Sequence, residues 1–171
     1  SKQTPPYAIL SGLVGSEMCI RDREKSVIKD LIKNTDTLLS QRVNNCSYNL
    51  DRAELAQTLV ESMLHHRGVG LSANQIGIEE RAFAMVSDIE TMQVIVVFNP
   101  KIIKEYDRKE IMEEGCLSYP ETFLKIERPW GIVVKFEDEY KRVHKVKMEG
   151  LMARIFQHEY DHMEGINFTQ K

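Results

Sequence analysis

The residues with the clearest chemical potential lie in the run Gln157-His158-Glu159-Tyr160-Asp161-His162. On a helix, His158 and His162 stand four residues apart and point the same way, with Glu159 beside them. Two imidazoles and a carboxylate at this spacing can hold a metal ion and a proton-shuttling base. Two ligands leave a site incomplete. Upstream, Glu114-Gly115-Cys116-Leu117-Ser118 offers a third in the thiolate of Cys116, a soft charged donor suited to Zn²⁺ or Fe²⁺. Gly115 permits close backbone approach beside it. A lone cysteine in a glycine-flanked turn is usually a small buried hydrophobe. On chemistry alone the metal site and the ordinary cluster stand about level.

A third run, Gly68-Val69-Gly70-Leu71-Ser72-Ala73-Asn74-Gln75, is too apolar for a phosphate loop and lacks lysine. Glycines flanking one apolar residue suit a strand edge that passes close to something, where an extended peptide could add as a further strand. A simple helix-exit loop fits the pattern equally well.

The elements that must position these groups are partly legible. Val27, Ile28, Leu31, Ile32, Leu38 and Leu39 recur at helical spacing, which predicts a helix over 23–40. Residues 41–50 read as a polar loop. Asp51 and Glu54 form a capping-box pattern before the stripe Leu55, Leu59, Val60, Met63 and Leu64, so a helix is expected to run to Arg67 and stop at Gly68. Strands are expected over 82–86 and 94–98, the second broken by Asn99-Pro100. Short strands follow over 102–106 and 110–113, then a hairpin of 131–136 with 140–146 about an acidic, solvated turn at 137–139. The last helix is expected to begin near Lys147. Helices, then strands, then one helix give an α+β class.

The chain has 171 residues, 42% hydrophobic composition and a net charge of −3, consistent with one domain holding a real core. The charge balance argues against nucleic acid or an acidic membrane as partner, and no apolar run is long enough to span a bilayer. Three cysteines make no disulfide framework and fit a reducing compartment. His65 and His66 fit the C-terminal end of a helix, and Cys19, Cys46 and His144 lack ligand company.

Together the three runs resemble peptide deformylases. That family carries Gly-x-Gly-x-Ala-Ala-x-Gln, Glu-Gly-Cys-Leu-Ser and Gln-His-Glu-x-x-x-His in this order, with Asp before the second His. Gly68 to Gln75 matches the first, Glu114 to Ser118 the second and Gln157 to His162 the third. The likeness extends through Asn99-Pro100 and Tyr119-Pro120-Glu121 and covers roughly residues 51–168. It implies a deformylase-like fold of small antiparallel or mixed sheets around a central metal-binding helix, and removal of the formyl group from N-terminal formyl-methionine of nascent polypeptides. It implies Cys116, His158 and His162 as metal ligands and Glu159 as general base and later acid. Gln75 and the Leu117 backbone N–H would be the oxyanion donors. The strand edge at Val69 and Gly70 would hold the substrate backbone. The family holds methionine in an apolar pocket, for which Leu151, Ile155 and Tyr119 are candidates by position with Val69 nearby, and Gly115 is a further substrate-binding candidate. Glu114 and Arg128 would pair and support the ligand loop, and Asp161 would orient a ligand. The implied metal is one divalent ion, Fe²⁺ natively, with Zn²⁺, Ni²⁺ or Co²⁺ also suited to the donors.

Two positions depart from the family pattern: Ser72 stands where Ala is common and Asn74 where Pro is common. Neither is expected to touch a ligand. The end at Lys171 resembles compact phage-type deformylases that lack a C-terminal helix. Residues 1–23 resemble a translated sequencing-adaptor fragment and are expected to be irregular, with 24–171 the catalytic domain. A monomer acting in the cytoplasm of a bacterium or phage-infected host, on chains emerging from the ribosome, completes the expectation; an upstream organelle-targeting segment is left open. The competing readings are a metallopeptidase or amidase of broader acyl specificity and an inactive peptide-binding homologue.

Overall fold

The computed structural model describes residues 27–171. The expected irregularity of residues 1–23 lies outside them. Seven strands and two helices make up the fold: α1 (Arg52–His65), β1 (Gly70–Ser72), β2 (Ala82–Asp88), β3 (Gln93–Glu105), β4 (Lys109–Cys116), β5 (Tyr119–Pro129), β6 (Gly131–Glu137), β7 (Val143–Glu149) and α2 (Gly150–Met163). The α+β expectation holds.

β1-β2-β3-β6-β7 form an antiparallel sheet in that order, and β4 pairs with β5 in a separate ribbon. Both faces of β2 are buried, so its period-two side chains feed two cores. Phe83 and Met85 join Val97, Ile132, Val134, Phe136 and Met148 against Phe156 and Met163 of α2. Ala82, Ala84 and Val86 join Phe98, Leu71 and the α1 stripe Leu55, Leu59 and Met63. The helix carrying the two histidines is thereby pinned to the middle of the sheet.

α1 forms as expected: Asp51 accepts from Glu54 N at 3.0 Å, satisfying an otherwise orphaned donor of the first turn. Gly68 N closes the end on Met63 O at 3.0 Å.

Three expectations fail, and one strand has no counterpart among them. Residues 27–36 are not helical, and only a short 3₁₀ turn, Thr37–Ser40, follows. Their amides bond elsewhere, Lys29 N to Ser62 Oγ at 2.9 Å and Ile32 N to Gln75 O at 2.9 Å, so tertiary contacts override the helical spacing. Asn99-Pro100 bends β3 without ending it. Asn99 adopts φ 51°, which asparagine tolerates, and register shifts flank the pair. β5 was not anticipated. Its inward row is Leu124, Ile126 and Arg128, and an arginine in a core position hides the alternation. α2 begins at Gly150 because Lys147–Glu149 still pair with β6, and Gly150 at φ 63° turns strand into helix.

The acidic turn is only partly solvated: Glu137 receives Arg52 Nη2 and Asn99 Nδ2, both at 3.1 Å. Among the described residues, no helix is long and apolar enough to cross a membrane.

Candidate metal centre

α2 presents His158 and His162 on one face, their ring centroids 4.7 Å apart. The β4–β5 ribbon brings Cys116 to them from the end of β4. The ligand atoms of Cys116, His158 and His162 all lie within 4.8 Å of one another.

The donor set fits a divalent metal. Cys116 Sγ lies 3.6 Å from His162 Nε2. A tetrahedral ion with ordinary metal–sulfur and metal–nitrogen bonds spaces such atoms by about 3.6 Å. Each imidazole is also held by its far nitrogen. His158 Nδ1 lies 2.9 Å from Glu114 Oε1. His162 Nδ1 lies 3.0 Å from Ser72 Oγ. Ser72 has one hydroxyl proton, and two oxygens already compete for it, Asn74 Oδ1 at 2.7 Å and Gln75 Oε1 at 3.0 Å. The imidazole Nδ1 therefore donates, which leaves Nε2 as the lone-pair atom facing the site.

Glu159 completes the cluster. The residue is 4% exposed, and its Oε1 lies 2.9 Å from His162 Nδ1. Oε1 faces the imidazole nitrogen turned away from the site, while Oε2 lies at Gly70, which lines the adjoining cavity. Gly70 is required beside it: a Cβ there would lie 3.0 Å from Glu159 Cδ and overlap the carboxylate oxygen.

The charges are strongly coupled. Burial alone would raise the Cys116 thiol, but His158 and His162 pull it down to about 6. Burial would lower both imidazoles. Cys116 and Glu114 instead raise His158 to about 9, and Glu159 and Cys116 raise His162 to about 10. A metal takes the thiolate and neutral imidazoles, so its binding at these groups releases protons.

Glu114 anchors the surrounding shell. Arg128 Nε and Nη2 grip its two oxygens at 2.6 and 2.9 Å, and Arg154 Nη1 adds a third contact at 2.7 Å. Burial opposes the charge, yet His158, Arg128 and Arg154 hold the carboxyl far below its usual range. Asp161 does not reach a ligand. It accepts from Arg128 Nη1 at 2.7 Å, so it acts on the centre through Arg128 and Glu114. Gln75 Nε2 donates to Ser118 Oγ at 2.9 Å and approaches Cys116 Sγ at 3.6 Å, which aims the amide at the centre. Leu117 sits in the turn joining β4 to β5, directly after the thiolate.

A cavity of about 460 Å³ opens beside these groups. Val69, Gly70, Gly115, Tyr119, Leu151 and Ile155 all line it. Tyr119 is tethered through its hydroxyl to Asn167 and packs on Phe168. Phe123 also lines the cavity and lies across Gly115.

The sequence reading missed Arg154 and misjudged Ser72 and Asn74. Arg154 bridges α2 to the ribbon, donating to Ile126 O and Glu110 O at 2.8 Å each as well as to Glu114. A lone arginine between apolar neighbours on the metal helix was the available signal. Ser72 touches the His162 ring, and Asn74 Nδ2 donates to His162 O at 2.9 Å, so both departures from the family pattern contact a ligand residue.

Comparison with known proteins agrees with this geometry. The family model described as Polypeptide deformylase matches residues 28–171. Peptide deformylase 2 of Prochlorococcus marinus (strain MIT 9313) is 42% identical over 120 residues, which are 69% of this chain and 60% of that protein. The peptide deformylase of Rhizobium meliloti (strain 1021) is 35% identical over 82% of this chain and 83% of its own. The chain spans 60% to 65% of the length of the first curated relatives it matches. The crystal structure of peptide deformylase from Thermotoga maritima superposes with a TM-score of 0.79 at 34% identity, covering 84% of this chain and 97% of that one. With its family model matched from residue 28 to residue 171, the chain belongs to the polypeptide deformylase family.

Proposed function

We propose that this protein is a metal-dependent hydrolase that removes the formyl group from the N-terminal formyl-methionine of nascent polypeptides and releases formate. The observation that carries the reading is the convergence of Cys116, His158 and His162, with Cys116, His158 and Glu159 lining one cavity. A divalent ion held by Cys116 Sγ and the two Nε2 atoms, natively Fe²⁺, would supply Lewis-acid polarisation of the formyl carbonyl and acidification of a water.

The chain's own residues do the rest. The Glu159 carboxylate takes a proton from the attacking water and returns it to the leaving amine. Gln75 Nε2 and the Leu117 amide donate to the oxygen on which charge develops, each worth about 3 kcal/mol, near a hundredfold in rate. β1 pairs only with β2 among the described residues, so its other edge is open to an extended peptide backbone. Gly70 lets that edge run against Glu159. Val69, Leu151 and Ile155 receive the methionine side chain, whose burial contributes roughly 2 kcal/mol. Glu114 and Ser72 fix the two imidazoles, with Arg128, Arg154 and Asp161 behind Glu114.

Formate release from formyl-Met-Ala, compared with hydrolysis of acetyl-Met-Ala, tests this. Anaerobically purified protein loaded with Fe²⁺ is expected to cleave the first far faster. Equal rates would contradict formyl specificity and favour a broader amidase.

A further inference from the structure

The segment 29–34 contains neither helix nor strand, yet its hydrogen bonds go to specific places. Lys29 N donates to Ser62 Oγ of α1 at 2.9 Å, which moors one end. Ile32 N donates to Gln75 O at 2.9 Å. Two residues on, Asn34 Nδ2 donates to Ser118 O at 3.1 Å, and Asn34 O accepts from Tyr119 Oη at 3.4 Å. One short stretch thus holds the main chain of Gln75 and the main chain of the turn that carries Leu117.

Under the proposed function, Gln75 Nε2 and the Leu117 amide serve the oxygen on which charge develops. They come from different elements. Gln75 belongs to the 3₁₀ turn Ala73–Ile76, and Leu117 to the two-residue turn between the paired Cys116 and Tyr119. The spacing of two such donors decides whether both reach one oxygen. A direct link exists, Gln75 Nε2 to Ser118 Oγ at 2.9 Å. Alone, it would hang the turn on the same amide that must meet the substrate. The contacts through Ile32 and Asn34 close a triangle with it and remove the hinge that a single contact leaves. Packing does not set the spacing: a recess of about 380 Å³ lies between the segment and the turn, lined by Leu31, Ile32, Leu117 and Pro120 among others. Asn34 is exposed, and a hydrogen bond that water competes for adds little to folding. Its effect is on geometry.

We propose that Asn34 is a positioning residue for these donors, holding the Leu117–Ser118 turn where its amide and Gln75 Nε2 reach the same carbonyl oxygen. The proposal rests on the deformylase reading and gives a role to a residue that does not line the catalytic cavity. Stabilisation that is realised only in the transition state is read in kcat, and lost ground-state binding in KM. Misaligned donors should therefore lower kcat.

The test uses the full chain loaded with two metals. With Fe²⁺ under anaerobic conditions, Asn34→Ala should lower kcat for formyl-Met-Ala about tenfold, a part of the roughly hundredfold that one such donor supplies, with KM unchanged. Asn34→Asp should match it, because a carboxylate of the same size has no N–H to offer. Lys33→Ala, at the exposed neighbouring position, should behave as wild type. With Zn²⁺, which is diamagnetic, ¹⁵N relaxation should show greater ps–ns motion at the Leu117 and Ser118 amides in both Asn34 variants and none added in α1. Thermal melts should stay within a few degrees of wild type. An unchanged kcat, a loss carried mainly by KM, an equal loss in Lys33→Ala, or wild-type behaviour of Asn34→Asp would overturn the proposal. So would unaltered motion in the turn, or a melt lowered well beyond a few degrees. A wild type that releases no formate contradicts the deformylase reading alone: added motion in the turn then supports the Asn34 clamp, and unaltered motion overturns it.

Discussion

Glu114 Oε1 lies 2.9 Å from His158 Nδ1, so a residue two positions before one metal ligand orients another ligand on a different element. This contact joins the β4–β5 ribbon to α2 and fixes the separation of the thiolate from the imidazoles. Glu114→Gln keeps the shape and removes the charge. Metal affinity, measured by competition with a chelator, is expected to fall about 10- to 100-fold. Unchanged affinity would show that Glu114 only fills space.

The same carboxylate gives a pH signature. Its pKa is depressed in the folded state from an ordinary value of 4.5. Its stabilising contribution is therefore complete above that value and is lost as pH falls towards the folded-state pKa. Urea unfolding of the wild type and of Glu114→Gln should differ most near pH 7 and converge as pH drops below 4. A gap that widens on acidification would reverse the sign.

Arg154 ties α2 to both strands of the ribbon through Glu114, Ile126 O and Glu110 O. Arg154→Leu strips one cation from a buried cluster and leaves two backbone carbonyls without their donor. A loss of about 3 kcal/mol in urea unfolding is expected. Arg154→Lys should recover only part of it, because an ammonium cannot reach all three acceptors from one position.

Gly70→Ala tests the close approach of β1 to the base. The added methyl would displace the Glu159 carboxylate, which is fixed by a buried helix. We expect formate release to fall about a hundredfold, in line with small displacements of a reacting group, while circular dichroism stays unchanged. Full activity would mean that β1 yields instead.

Much of this centre could be read from residue types and spacing. His158, Glu159 and His162 are local to one helix, so a period of four exposed them. Cys116 stood out as a soft donor able to complete the set, Gln75 and Glu114 were reached through family motifs, and the fold then brought them together. The parts that escaped depend on contacts between distant segments. Ser72 meets His162 only because β1 lies against α2. Arg154 looks like a surface residue until β5 is seen to pass over it. The false helix at 27–36 had the right apolar period, but its amides found partners on α1 and beside Gln75. β5 was hidden because Arg128 occupies an inward position that only an ion pair with Glu114 and Asp161 makes tolerable.

The proton-shuttling role of Glu159 is the centre of the proposed chemistry, and Glu159→Ala probes it directly. Formate release from formyl-Met-Ala should drop by three orders of magnitude or more, on the order of what general acid–base catalysis supplies. Metal analysis of the same sample should show that the ion at Cys116, His158 and His162 is retained. Turnover equal to the wild type in a metal-replete Glu159→Ala protein would contradict the mechanism.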